Sequence, residues 1–108
     1  MENEEIENVE TDTLLNLVKQ SLGIIETSTI KDNEISMLIG AAEADMIRQD
    51  IDVTNKLEND LIQATIVMFV KANFEYLDEA TRKRALEMYH LSCTNLSLSQ
   101  EYQVSEEE

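Results

Sequence analysis

Residues 61–74 read LIQATIVMFVKANF, and as a helix their apolar side chains point to almost every side rather than along one stripe. A surface helix carries an apolar arc roughly 100° wide, so a helix that is apolar all round must be covered by neighbours. The run is 14 residues long and contains Gln63 and Lys71, whereas a membrane-spanning helix needs roughly 20 largely apolar residues. No membrane partner is expected, and the segment is placed at the centre of a small helical domain.

The rest of the chain supplies the cover. Thr11 or Asp12 caps a first helix that runs to about Leu22, with Leu14, Leu15, Leu17, Val18 and Leu22 on one face and Gly23 as its left-handed stop. Residues 24–31 read as an ordered loop in which Ile25 and Ile30 clasp the helix ends. A second helix starts with Asp32 as N-cap and continues to about Gln49. Its Ile35, Leu38, Ile39, Ala42, Met46 and Ile47 follow the i, i+3, i+4 spacing of an apolar face. Gly40, beside Ala41, Ala42 and Ala44, suggests a second helix crossing close by. After a short polar segment, Thr54 or Asn55 caps the third helix, which reaches Tyr76 or Leu77. It contributes Leu61, Ile62, Ile66, Phe69, Val70 and Phe74 to the core. Asp78 caps a fourth helix to about Asn95, with Arg82, Lys83 and Arg84 in its first turns, where bases oppose the helix dipole. The bases are read as a solvated face, with a partner surface as the alternative.

The expected fold class is therefore all-α, a small four-helix domain with a buried central third helix and flexible acidic termini. The absence of Pro and the presence of only two Gly agree with long helices. Residues 13–95 form the expected domain. The segment LSLSQEYQV from Leu96 to Val104 alternates apolar and polar residues as a strand does, yet no other strand exists to pair with it. It is expected to be extended, either folded back on the helices or added to a partner's sheet or groove.

Formal net charge is −15, from 23 acids and 8 bases. Six acids without a base lie in residues 1–12 and four in residues 101–108, so the interval 13–100 keeps 13 acids and all 8 bases. Acidic tails of this kind bury too little apolar surface to offset ordering entropy, and they repel phosphate backbones. The single Cys93 excludes an internal disulfide and suits a reducing cytosol. MENEEIENVE has neither the basic start nor the apolar centre of a secretory signal.

Catalytic and metal signatures are weak. His90 and Cys93 stand three apart on the fourth helix, but two ligands do not complete a metal site. Glu43 with Asp45, and Asp50 with Asp52, lack calcium-loop spacing. No glycine-rich phosphate loop is present. The chain is expected to be no enzyme and to need no cofactor.

DNEISMLIGAAEADMIRQDID at 32–52, LIQATIVMFVKANFEY at 61–76 and MYHLSCTNLSLSQEY at 88–102 together resemble the small head-to-tail connector (adaptor) proteins of tailed bacteriophages, also described as DNA-packaging proteins. The resemblance covers roughly residues 13–102 and rests on helix pattern. Glu75, where relatives often have a small residue, and the acidic first 12 residues depart from it. It implies a four-helix protomer made in the bacterial cytoplasm and carried in the virion. There it joins a ring, dodecameric on the portal, which extends the DNA channel without binding DNA specifically and supports the next connector or stopper protein. Whether the isolated chain is a monomer or a ring stays open. The resemblance also implies that the C-terminal segment docks on the portal, through Leu96, Leu98, Tyr102 and Val104. The alternative is an acidic DNA mimic or a helical regulator that binds and inhibits a host or phage protein.

Overall fold

The computed structural model describes residues 13–107, and side chains as far as Gln100. Four helices and no strand are found among them: α1 over 13–22, α2 Asp32–Arg48, α3 Asp60–Asn73 and α4 Glu79–Glu107. The fold is all-α. The acidic stretch 1–12 and its Thr11 and Asp12 caps lie outside the described residues.

α3 packs against both α2 and α4. Its Ile62, Thr65, Ile66, Val67 and Val70 are buried, and no residue from Thr65 to Ala72 is exposed. The single polar atom this burial would strand, the Thr65 hydroxyl, donates back to the Leu61 carbonyl at 2.7 Å, the local solution open to a helical threonine. α1 adds Leu14, Leu15 and Val18 to the same core, α2 adds Ile35, Ile39, Ala42 and Met46, and Phe74 closes the end of α3. Leu38 and Phe69 are only partly buried and pack against this cluster. Leu61, expected inside, is exposed, because it lies with exposed Ala64 on the outer side of α3, while Ile62 in the same turn faces the core and is fully buried.

Helix boundaries follow local chemistry. α3 starts later than the expected Thr54 or Asn55 cap, because Asn59 is the cap: its side-chain oxygen accepts from the Leu61 and Ile62 amides at 2.9 and 3.1 Å. Residues 54–58 form turns instead, held by the Gln63 amide donating to the Lys56 and Leu57 carbonyls. The lead-in is not simply polar either, since Ile51 and Val53 are buried. At the other end α3 stops at Asn73, because Phe74 turns extended to insert its ring in the core. Asp78 caps α4 by accepting from the Thr81 amide at 3.0 Å and the Thr81 hydroxyl at 2.6 Å. The same bonds hold its carboxyl below the usual carboxylate range.

Two helices end alike. At α1 the Ile24 amide donates to the Lys19 carbonyl and Gly23 to Gln20, with Gly23 at φ 76°. At α2 the Ile51 amide donates to Met46 and Asp50 to Ile47, with Asp50 at φ 65°. Both are left-handed helix stops in which an apolar residue follows the turn. A Cβ at Gly23 meets no atom within 4 Å, so Gly23→Ala carries only the backbone penalty. Urea denaturation is expected to show a loss of about 1 kcal/mol.

Three expectations are corrected. Asp32 does not cap α2: Lys31 holds the cap position without a side-chain bond, and Asp32, the first helical residue, pairs with Lys19. Ile25 and Ile30 do not clasp the helix ends but are exposed. No described helix crosses close to Gly40, where a Cβ would meet nothing within 4 Å.

Candidate interaction surface

The segment expected to be an extended docking strand is the second half of α4, helical to Glu107. The alternation that resembles a strand is also compatible with a helix whose opposite sides are both apolar. Ala85, Tyr89, Cys93 and Leu96 face the core. Met88, Leu91 and Leu98 lie on the outer side and are exposed. Leu96 is therefore a core residue, 2% exposed, whereas Leu98 is 50% exposed. Tyr102 and Val104 lie on the helical backbone of α4, and their side chains fall outside the described set. Past Leu96, Gln100 fastens α4 to the loop after α2: it accepts from the Asp52 amide at 2.9 Å and donates to the Asp52 carbonyl at 2.8 Å.

A polar cluster joins α2 to α4. The Tyr89 hydroxyl donates to Asp45 at 2.5 Å, and Arg48 and Gln49 donate to the same carboxylate. Gln49 also approaches the Cys93 sulfur at 3.8 Å. The Tyr89 ring, 1% exposed, meets Phe69 edge to face at 5.2 Å. The Tyr89 bond, followed by Arg48, holds the Asp45 carboxyl below the usual carboxylate range. Burial, reinforced by Asp45, pushes the Tyr89 phenol far up. Burial also pushes the Cys93 thiol up, which keeps it from the reactive thiolate form.

A second buried ion holds the first loop. Lys19, 2% exposed, donates to the carbonyls of Glu26 at 2.8 Å and Ser28, and its ammonium lies 2.9 Å from Asp32. Asp32 Oδ1 accepts no hydrogen bond, so its contact with Lys19 is ionic. Neither Lys19 nor Tyr89 stands out from the sequence. The one signal for Lys19 was its place on the apolar face of α1, one residue after Val18.

These clusters are internal struts. His90 is exposed while Cys93 is buried, so the pair does not present two ligands to one point. Glu43 is engaged by Lys56, and no group of three metal-ligating side chains occurs among the described residues. The groove beside α1, lined by Leu14, Leu17, Ile24 and Gln63, offers one carboxylate, Glu26, which accepts from Asn16 at 3.2 Å. No described helix is long and apolar enough to cross a membrane. The distinctive surface is apolar: exposed Met37 and Ile47 on α2, and Met88, Leu91 and Leu98 on α4.

Neither a curated protein nor a solved structure matches the chain. A family model for the phage connector protein matches residues 14–103, from the first core leucine of α1 to the far part of α4. With that match over an all-α body whose exposed features suit contact with other proteins, the chain belongs to the phage connector family.

Proposed function

We propose that this chain is a head-to-tail adaptor of the DNA-packaging type, which assembles as a ring under the portal, extends the DNA channel and seats the next connector or stopper protein. The observation that carries the reading is the family match over residues 14–103. Membership points to a structural part of the phage particle, made in the host cytoplasm and carried in the virion, rather than an enzyme. Association with the portal and neighbouring head–tail components follows from the same membership, and a dodecameric ring on the portal is the finer proposal. Net charge −15 supports a channel wall that DNA slides past, because like charges do not adhere.

Portal docking is assigned to the end of α4 past Gln100, through Tyr102 and Val104. A cut after Asn95 would remove the buried Leu96 and test stability instead of docking. A cut after Gln100 keeps Leu96 and the Asp52 contacts. That truncated chain is expected to melt within a few degrees of the full chain and to lose capture of the portal from an infected lysate. Capture that survives the cut would remove the assignment. Capture by the full chain of a nucleic-acid enzyme alone would favour the DNA-mimic or regulator reading.

A further inference from the structure

Two helices of this chain carry matching outer faces that nothing described covers. On α2, Met37, Gly40, Ala44 and Ile47 are all exposed, Met37 at 76% and Ile47 at 58%. On α4, Met88, Leu91, Asn95 and Leu98 are all exposed, Met88 at 44% and Leu91 at 56%. Both sets follow the same 3-4-3 spacing, the a/d seam of a helix pair. Each spans about 15 Å at 1.5 Å per residue. Neither stripe contains a charged residue, although the chain as a whole carries net −15.

We propose that the α4 stripe of one copy seats on the α2 stripe of a second copy, with the two helices antiparallel. Shape favours this occupant. Antiparallel seating sets Leu91 against Ala44 and Asn95 against Gly40, large against small, and the small residues let the two backbones approach. Charge favours the antiparallel direction, since at the start of α2 Asp32 is already paired with Lys19 and Glu34 is half-buried, whereas the acids after its end are exposed. Lys83 and Arg84 are exposed at the start of α4 and form no ion pair with a described residue. In the antiparallel seat they lie beyond Ile47, where α2 ends and exposed Asp50 and Asp52 follow. The bases set against the dipole of α4 then have a role as rim contacts. Each copy uses two different faces, so the contact is heterologous and propagates into a ring or an open helix. One helix pair buries far less than the roughly 800 Å² per partner of a standard interface, so association is expected at high protein concentration.

The inference rests on the ring reading and is tested apart from it, by sedimentation equilibrium of the full chain up to millimolar concentration, with circular dichroism to check folding. Ala44→Asp and Leu91→Asp are each expected to weaken self-association at least about tenfold, since a carboxylate in an apolar seam has no partner. Mixed one to one, they are expected to form a dimer, because the first keeps its α4 face and the second its α2 face. Ala44→Lys is expected to weaken association as Ala44→Asp does; if it strengthens association, bulk charge explains the effect and the pairing falls. Either Asp variant assembling like the wild type, or a mixture that stays monomeric, overturns the pairing. A wild type that stays monomeric also overturns it, while portal capture by the same protein scores the connector reading separately.

Discussion

Lys19→Met is expected to remove about 3–5 kcal/mol of stability, the range for deleting one partner of a buried ionic cluster. The ammonium gathers the Glu26 and Ser28 carbonyls and the Asp32 carboxylate at one point, and so ties the end of α1, the 24–31 loop and the start of α2. Methionine fills the volume but leaves those three oxygens turned toward an apolar side chain. A domain of this size has about 5–15 kcal/mol in total, so the variant is expected to be partly unfolded at growth temperature. Urea titration followed by circular dichroism measures the effect. The paired change Lys19→Met with Asp32→Asn is expected to recover part of the loss, because the stranded carboxylate is gone. A single variant within 1 kcal/mol of wild type would show that the buried ammonium is dispensable.

Tyr89→Ala is expected to cost about 3–5 kcal/mol, through the cavity left by the ring beside Phe69. Tyr89→Phe separates the hydroxyl from the ring and is expected to cost about 1.5–3 kcal/mol, the range for a hydrogen bond to a charged group. The second variant also carries a pH signature. Asp45 has its folded-state value lowered, first by Tyr89 and then by Arg48. Stability gained this way is complete above the unfolded carboxylate value, about pH 4. It is lost as pH falls through the lower folded value. Tyr89→Phe removes the largest cause, so its denaturation midpoint is expected to lie below wild type at neutral pH and to approach it in acid. Parallel acid limbs would show that the Tyr89 bond does not stabilise the ionised Asp45.

The places where sequence and structure part have separate physical causes. Leu61 belongs to the apolar run yet faces solvent, because it shares the outer side of α3 with Ala64, and the 100° turn per residue sends only Ile62 beside it into the core. Asn59, not an earlier residue, starts α3, because Ile51 and Val53 must first be buried in the approach to it. Asp32 resembles a cap in sequence, but the nearby buried ammonium of Lys19 takes its carboxylate. Leu96 and Leu98 look equivalent in LSLS, yet a helix turns 100° per residue and places them on opposite sides.

Residue order alone determined the helical class, the central position of 61–74, the left-handed stop at Gly23 and the Asp78 cap. These are local properties: apolar periodicity, a backbone angle that glycine tolerates, and a side chain that reaches amides two or three residues ahead. The tertiary structure alone decided that Lys19 and Tyr89 are buried, that α4 runs unbroken to Glu107 and that its outer leucines are left uncovered. The burial of Lys19 and Tyr89 depends on groups 7 and 44 residues away supplying the partner atoms, and the local apolar pattern does not say which distant atoms those are.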